Sequence, residues 1–336
     1  MNLIIGNFGY VNNQLDGQTV RTRVLYESFS TLESVDYFDV NGKNPFFAFF
    51  AIAFHLFKVE NVYFVPGKKM LLFVSPLLIF YNVFTGHKIH LFTVGGWIGT
   101  LVSKNIYVKK IMKCFTTVNV ELESIKKMLL SDSINSNVLF NFRDFHFDID
   151  KRFNNKGPVK LVYFSRVMEE KGVFKAINVA CALEKLLPGR YTLDIYGTLC
   201  FRDTPQIDKF NKLIHSNNHV RFLGALEPFE IVNQLSKYHV MLFPTSYSGE
   251  GFPGCIVDAK FSALMVICTD WNFNSEVVKD KSDGFIFDVN KYVSETIKLL
   301  AEIENSDIEI YRTKSYFSSV NFTKNAFDTW YQANIK

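Results

Sequence analysis

The sequence has little of several features that would point to particular classes of protein. Its five cysteines contain no CxxC pair and are odd in number, which argues against a disulfide framework and predicts reduced, mostly buried thiols in a cytosolic protein. The net charge is only +4, too small to indicate a nucleic-acid partner. The N-terminal stretch MNLIIGNFGY has no basic region followed by a cleavable apolar segment, so no secretion signal is expected.

Apolar runs long enough to cross a bilayer are also missing. The two most apolar runs are PFFAFFAIAFHLF (45–57) and MLLFVSPLLIFYNVF (70–84), and both fall short of the about 20 residues that span a membrane. Pro76 also interrupts the second run. We therefore expect two buried helices in a soluble or peripheral protein, within a chain unusually rich in phenylalanine (35 residues).

Strand-like and helix-like segments alternate along all 336 residues, which predicts α/β architecture with parallel sheets. The pattern divides at the polar stretch RDFHFDIDKRFNNKGP (143–158), which we interpret as a linker. The predicted units are an N-terminal domain over 1–150 and a C-terminal domain over 158–312, each of ordinary domain size. The last stretch, FTKNAFDTWYQANIK, is helix-like and follows the second unit.

Two cations follow the first strand of the second unit, in FSRVMEEKG. Arg166 and Lys171 would lie at the carboxyl edge of the sheet, where open α/β sheets bind ligands. Lys171 and Gly172 then open a helix whose free N–H groups favour an anion. Alone, such a pair is more often two solvated surface cations.

The segment GEGFPGCIVDAKF (249–261) follows another strand in the same way. Gly251 and Gly254 would let a ligand approach the backbone, and Pro253 suits the first position of a helix. Asp258 would lie in the second turn, so Glu250 and Asp258 can contact two parts of one extended ligand. A capping acid and a solvated aspartate are the alternative. With the cations nearby, the arrangement suits a nucleoside diphosphate-sugar.

The ordered set of motifs in this half resembles the retaining GT-B glycosyltransferases of family 4, which include enzymes of bacterial capsule and O-antigen synthesis. The resemblance runs through YFSRVMEEKG, YTLDIYG, HVRFLGALE, VMLFPTSYSGEGFPGCIVDA, TDWNFNSEVV and DGFIFDV. It is looser in the first half, through GNFGYVNNQLDGQTVRTR, TVGGWIG and VLFNF. It implies two Rossmann-like domains separated by a cleft, with a final helix (about 317–334) that crosses back to the N-terminal domain.

The resemblance also implies a role for each matching residue. Arg166 and Lys171 correspond to the cations that bind the donor diphosphate and stabilise the leaving group. Glu250 corresponds to the first acid of the E-x7-E motif, which holds the donor sugar, and Asp258 to the second, which binds the ribose. The remaining donor-binding positions are Gly17, Gly251, Phe252, Pro253 and Gly254.

Three departures from the family pattern stand out. Asp258 is one methylene shorter than the usual glutamate. The stretch KFSALMV lacks the Gly and Pro that commonly precede the next strand. A His near the donor sugar is missing, because His90 comes five residues too early. Gly95, Gly96 and Trp97 occupy that region and are the candidate acceptor-binding residues, with Trp97 either a sugar-stacking platform or a core residue.

We expect no cofactor and no metal, since Arg166 and Lys171 would supply the charge that a metal would. The triplet DID (148–150) imitates the DxD metal motif of GT-A transferases but falls in the linker. His215 and His219 have helical metal-pair spacing, but two asparagines between them predict that the helix has ended.

The sequence thus predicts a retaining transferase that moves a sugar from a nucleotide donor to a glycan or lipid-linked oligosaccharide. It would be cytoplasmic and peripheral on the inner face of the membrane. The lysines of SKNIYVKKIMK (103–113) could contact anionic lipid there, or could form a solvated helix face. The alternatives are a catalytically silent sugar-nucleotide-binding subunit and a sugar-nucleotide epimerase on the same fold. Turnover of a labelled donor would separate them.

Overall fold

The computed structural model describes residues 2–11, 14, 16–43, 45–56, 59–144 and 157–336. The chain forms two compact units, one of residues 1–143 with 324–336 and one of residues 144–323. The DID triplet and most of the predicted linker lie outside the described residues.

The N-terminal unit is built on a parallel sheet in the order β2-β1-β3-β4-β5-β6. Its strands are β1 (Asn2–Gly6), β2 (Val35–Asp39), β3 (Asn61–Val65), β4 (Lys88–Phe92), β5 (Thr117–Val120) and β6 (Asn137–Val138). Its helices are α1 (Gly17–Ser30), α2 (Pro45–Leu56), α3 (Lys68–Thr85), α4 (Trp97–Lys104), α5 (Ile106–Met112) and α6 (Glu123–Ser131). The predicted alternation of strands and helices is confirmed.

Two expectations about burial are wrong. The helix α3 contributes only Leu71, Ser75 and Leu78 to the buried interior, and its outward phenylalanines are exposed. Its neighbour α2 likewise buries one stripe and exposes Phe50 and Phe54. The sequence of α3 is apolar around most of its circumference. It therefore gives no contrast that would identify which face of the helix is buried and which is exposed.

The cysteines are the second case. All five are unpaired, and only Cys268 is fully buried. Cys114 is exposed, and the partly buried cysteines are Cys181, Cys200 and Cys255.

The C-terminal unit is a second parallel sheet, in the order β12-β11-β10-β7-β8-β9. Its strands are β7 (Val159–Phe164), β8 (Tyr191–Tyr196), β9 (Val220–Gly224), β10 (Val240–Phe243), β11 (Met265–Thr269) and β12 (Gly284–Phe287). Its helices are α7 (Val173–Leu186), α8 (Thr204–His215), α9 (Ile231–Leu235), α10 (Gly254–Phe261), α11 (Asn274–Val277), α12 (Tyr292–Glu302) and α13 (Asn305–Ser318). The chain runs outward from β7 to β9, returns to β10 on the other side of β7, and so creates a switch point between β7 and β10.

The last helix, α14 (Lys324–Asn334), belongs to the N-terminal unit. Its Phe327 and Tyr331 pack in one apolar cluster with Phe29 of α1 and Tyr63 of β3. The rings of Phe29 and Tyr63 stack at 4.1 Å, and Phe327 meets Phe29 edge-on at 5.3 Å. Tyr63 and Tyr331 both donate hydrogen bonds to Glu33 in the turn after α1. One face of the N-terminal sheet is therefore closed by aromatic rings from both ends of the chain.

Candidate functional site

The switch point of the C-terminal sheet brings two of the predicted residues into direct contact. Lys171 follows β7 and Glu250 follows β10, and the ammonium lies 2.8 and 2.6 Å from the two carboxylate oxygens. The side chains are only 7% and 8% exposed. Thr245 donates a third hydrogen bond to Glu250, at 2.9 Å. The buried pair is thus electrically neutral and nearly fully hydrogen-bonded, as a buried ion pair must be.

Close backbone packing makes this contact possible. Gly172, the N-cap of α7, has φ 83°, a conformation that favours glycine. A Cβ atom at Gly172 would lie 2.2 Å from the carbonyl oxygen of Pro244. The start of α7 can therefore pack against the chain leaving β10 only if residue 172 has no side chain, and this packing brings Lys171 to Glu250.

Arg166 is the exposed cation of the site. The backbone carbonyl of Arg166 accepts a hydrogen bond from the hydroxyl of buried Tyr163, at 2.8 Å. Its guanidinium lies 5.0 Å from the ring centre of Tyr247, and the Lys171 ammonium lies 5.3 Å from the same ring. Arg166 and Lys171 therefore share one aromatic neighbour. Of these two cations, Arg166 is exposed to solvent and Lys171 is buried.

The loop from β10 to α10 is fastened by residues after β11. Trp271 donates its indole N–H to the carbonyl of Tyr247 at 2.8 Å, and Asn272 donates its amide to the carbonyl of Glu250 at 3.0 Å. Asn272 itself has φ 48°, in the left-handed region that asparagine adopts more readily than most other residues with a side chain. Gly251, Phe252, Pro253 and Gly254 follow this fastened turn and lead into α10, which begins at Gly254.

Asp258 lies on α10, one helical turn beyond the start, and is 5% exposed. The thiol of Cys255, on the same helix, lies close enough to the charged residues of the site to be affected by them. Burial raises the pKa of Cys255 to about 12, and the charges of Lys171, Glu250 and Asp258 all act on it. The described C-terminal residues singled out from the sequence, Arg166, Lys171, Glu250, the turn 251–254 and Asp258, thus gather at one edge of one sheet.

Four residues of the site were not predicted from the sequence: Thr245, Tyr247, Trp271 and Asn272. Thr245 and Asn272 bond to Glu250, Tyr247 contacts Arg166, and Trp271 bonds to the carbonyl of Tyr247. The available signal was their place in the loops directly after β10 and β11, where the carboxyl ends of parallel strands converge.

The N-terminal residues lie at the corresponding edge of their own sheet. Gly17 is the first residue of α1, and a Cβ atom built there meets nothing within 4 Å. Asp16 caps the helix by accepting hydrogen bonds from the N–H groups of residues 18 and 19, and Thr19 completes a capping box. The N-terminus of α1 is therefore ordered and open.

Gly95, Gly96 and Trp97 follow β4. Trp97 is half-buried, so it is not a core residue, and its indole N–H donates to Val94 within the same loop at 2.7 Å. The N–H of Gly95 donates to Glu121 at 2.9 Å, and this buried carboxylate lies 3.3 Å from the guanidinium of Arg21. Burial raises the pKa of Glu121, whereas Arg21 lowers it. An internal ion pair thus fixes the loop.

The structure excludes His90 from this edge. Its ring is buried on β4, with Nδ1 3.0 Å from the hydroxyl of Thr117. Burial lowers the pKa of His90 to about 4. Among the described residues, no group of three or more His, Cys, Asp or Glu side chains is placed to hold a metal ion.

The fold is shared with several solved structures. It is similar to Anabaena HepE in complex with UDP, with a TM-score of 0.75 and 12% identity over 99% of this chain and 98% of HepE. Sucrose-phosphate synthase from Thermosynechococcus elongatus gives a TM-score of 0.71 and 14% identity over 99% and 98%. The pneumococcal O-GlcNAc transferase GtfA, in complex with UDP and GlcNAc, gives 0.60 and 15% over 84% and 58%. These similarities show a GT-B fold with two Rossmann-like domains.

No curated protein sequence matches the chain. The sequence profile of the family described as glycosyl transferases group 1, in contrast, matches residues 144–316, just over half of the chain. This range contains the whole C-terminal sheet and every predicted donor-site residue except Gly17. The chain belongs to the glycosyl transferases group 1 family and is a glycosyltransferase.

Proposed function

We propose that this enzyme is a retaining glycosyltransferase of the family 4 type, which moves a sugar from a nucleoside diphosphate-sugar to a glycan hydroxyl. The observation that carries the proposal is the meeting of Arg166, the Lys171–Glu250 pair and the turn before α10 at the switch point of the C-terminal sheet. Ligands of open α/β sheets bind at such points.

The proposed chemistry is mainly electrostatic. The bond between the anomeric carbon and the diphosphate breaks, the acceptor oxygen bonds to the same face of that carbon, and the hydroxyl proton leaves with the diphosphate. Arg166, Lys171 and the N-termini of α7 and α10 stabilise the departing negative charge. Glu250 holds sugar hydroxyls, and Asp258 holds the ribose.

Donor binding would change the state of the buried pair. Without a donor, Glu250 neutralises Lys171. A bound diphosphate gives the ammonium a second anionic partner, and the sugar hydroxyls give the carboxylate new donors. Both groups can then bind ligand while keeping their hydrogen bonds, which avoids leaving either charge unpaired in a buried site.

A UDP-sugar is the first donor class to test, because HepE and GtfA are both described in complex with UDP. The experiment is a panel of nucleotide sugars measured by thermal shift, followed by turnover of the labelled donor. We expect a UDP-sugar to raise the melting temperature and its label to appear on an acceptor. Stabilisation by no member of the panel would contradict the donor assignment.

Metal-free catalysis is part of the proposal, because Arg166 and Lys171 supply the positive charge. Transfer should therefore persist in EDTA at the rate seen before chelation. If EDTA abolished transfer and Mn²⁺ restored it, a metal-dependent mechanism would replace this one.

We further propose a lipid-linked oligosaccharide acceptor in bacterial surface-polysaccharide synthesis, such as that of capsule or O-antigen, reached from the cytoplasmic face of the membrane. The family resemblance and the free cysteines, which suit a reducing compartment, support this location. Gly95, Gly96 and Trp97 would contact the acceptor. Transfer to a polyprenyl-linked oligosaccharide should exceed transfer to the same oligosaccharide free in solution. Equal rates would remove the lipid from the proposal.

A further inference from the structure

The outer face of α3 is an exposed apolar surface. Phe73, Phe80 and Phe84 are 71%, 63% and 72% exposed, and the rings of Phe80 and Phe84 are 4.7 Å apart. With Val83 they follow a helical stripe opposite Leu71, Ser75 and Leu78, which face the sheet. Such a stripe contributes little to packing inside the domain, and exposed apolar patches of this kind commonly mark a binding surface.

Neighbouring helices extend this surface. The helix α3 contacts both α2 and α5. Tyr81 of α3 donates its hydroxyl to the carbonyl of Leu56 in α2. Phe50 and Phe54 on α2 and Ile106 on α5 are 56%, 74% and 69% exposed. We call the exposed side chains of α2, α3 and α5 the aromatic face.

The chain segment that forms the aromatic face is strongly basic. Residues 43–120 contain nine lysines, no arginine and a single acid, Glu60, which gives +8 in a chain whose total is +4. The rest of the chain is therefore net −4. Lys68 and Lys69 are exposed in the first turn of α3, and Lys88 is exposed just beyond its last turn.

The lysines at the start of α3 are unfavourable for the helix itself. The N-terminus of a helix carries partial positive charge, and the preceding Gly67 offers no side-chain cap. A positive first turn with free N–H groups instead suits anions supplied from outside. The cations and the rings thus point to one partner that is both anionic and apolar.

The helix also passes the test of length and composition for a membrane span, the one helix among the described residues that does. Its position in the fold rules out that use. It connects β3 to β4, which are adjacent strands paired through Asn61–Phe64 and Lys88–Leu91. Both ends of α3 are fixed to one sheet, so the helix lies flat and can bind a membrane only along its side.

We propose that the aromatic face is a membrane-docking surface, in which Phe50 and Phe54 of α2 and the exposed phenylalanines of α3 insert below anionic headgroups and nearby exposed lysines bind the headgroup phosphates. This deepens the peripheral attachment of the proposed function by naming the surface. It rests on that function only for the biological setting, since the surface itself stands on exposure and charge.

The test is sedimentation of the full chain with vesicles of phosphatidylglycerol and phosphatidylcholine, without donor or acceptor. The wild-type protein should bind at low salt and bind less to phosphatidylcholine alone. The variant F73S/F80S/F84S should bind the anionic vesicles about tenfold or more weakly. K68E/K69E should also bind about tenfold or more weakly, because each lysine near an anionic surface raises the affinity by a factor on the order of ten or somewhat less.

Matched controls lie in the other unit. Phe229 and Phe317 are 76% and 65% exposed there, and Lys212 and Lys237 are exposed. F229S/F317S and K212E/K237E should bind vesicles like the wild type. Lys109 is a poor choice for substitution because Asp132 holds it at 2.6 Å. UDP affinity, measured by calorimetry, should be equal in all variants, so a failed donor assignment would not affect the vesicle result.

A direct readout is F80W, whose fluorescence should shift to the blue when vesicles are added, and it remains informative if the triple variant fails to fold. Three results would overturn the proposal: wild-type protein that stays in solution with anionic vesicles, wild-type-like binding by F73S/F80S/F84S, or no blue shift in F80W. A dimer seen by light scattering that dissociates in F73S/F80S/F84S, without vesicle binding, would assign the face to a second copy instead.

Discussion

Lys171 and Glu250 carry opposite charges in a space that is almost closed to solvent, so each depends on the other. Replacing either one by alanine leaves an unpaired buried charge, which costs about 3–5 kcal/mol of stability. Arg166 is exposed, and its loss should leave stability unchanged. All three alanine variants should lose about a hundredfold or more in transfer.

Urea unfolding and transfer assays on R166A, K171A and E250A would check this. The double variant K171M/E250L should recover most of the stability lost in the single variants while staying inactive, because apolar groups can replace a buried pair. Unfolding of K171A at the wild-type midpoint would mean that the pair is not needed for folding.

Asp258 is buried on α10, and its proposed partner is a ribose hydroxyl. Asp258→Asn should weaken donor binding by about 1–3 kcal/mol, because a buried hydroxyl loses a charged acceptor. Asp258→Glu restores the usual family residue and should keep or improve the affinity. Calorimetry with UDP would measure both, with exposed Asp208→Asn as the control. Equal affinity in all forms would leave Asp258 without a ligand role.

At the level of elements, α10 ends in a way that explains one departure from the family pattern. The N–H of Leu264 bonds to the carbonyl of Ala259, and the N–H of Ala263 to that of Lys260, each at 3.0 Å. This is a Schellman motif, in which glycine is favoured at the position that Ala263 occupies with φ 50°. The geometry that glycine would provide is kept, at the cost of local strain in an alanine.

A buried lysine of α10 also holds this helix in place. Lys260 is fully buried and bonds to Asp283 at 2.8 Å and to Ser318 at 2.7 Å. It therefore ties α10 to the loop before β12 and to the end of α13. Because Asp258 lies only two residues earlier, this anchor also limits how far Asp258 can move.

The first turn of α1 offers a test of ligand approach that is separate from packing. Gly17→Ala adds a methyl group to open space and should leave the melting temperature unchanged or slightly higher. Transfer should fall by about tenfold to a hundredfold if the donor or acceptor approaches this backbone. Thermal melting and initial rates would measure the two effects.

Gly6→Ala is the contrasting variant, because its Cβ would lie 2.7 Å from Thr22. It should lose stability, whereas Gly17→Ala should not. A fully active Gly17→Ala variant would mean that the glycine matches the family by sequence alone.

The strands and helices were largely predictable from the sequence, whereas the side-chain contacts between them were not. Short apolar segments such as NLII and VKLVYFS predict β1 and β7, because buried parallel strands are continuous and apolar. The contact between Lys171 and Glu250 joins residues 79 positions apart, and it depends on how closely α7 packs against the chain after β10. No local pattern encodes that distance. The aromatic face was missed for the opposite reason, since apolar composition alone predicts burial.

For the whole molecule, two histidines whose pKa is lowered by burial contribute to destabilisation in acid. His90 has a pKa of about 4 in the folded chain because it is buried, against about 6.5 when unfolded. The unfolded chain therefore binds more protons than the folded chain between these values. The contribution of His90 to the free energy of unfolding is therefore fully present above about pH 6.5. It falls progressively towards pH 4, by about 3 kcal/mol. His239, in the C-terminal unit, has a pKa lowered to about 4 for the same main reason.

Urea unfolding at pH 7.5 and pH 5.0 would show this effect. Trp97 and Trp330 belong to the N-terminal unit and Trp271 to the other, so a Trp271→Phe background reports on the unit that contains His90. In that background His90→Gln should lose less stability between the two pH values than the parent does. The same loss in both proteins would assign the acid sensitivity to other groups.

The position of α14 has a consequence for the order of events during synthesis. Residues 324–336 follow the whole C-terminal unit in the chain, yet Phe327 and Tyr331 complete the aromatic cluster over β3 and α1. Domains generally fold as units while the ribosome is still working. A ribosome that has released residues 1–143 has delivered all six strands of the first sheet, but one apolar face of that sheet stays partly uncovered until the second sheet has been translated. The domain that begins first must therefore finish last, and nascent chains stalled before Phe327 are the ones that should need a chaperone.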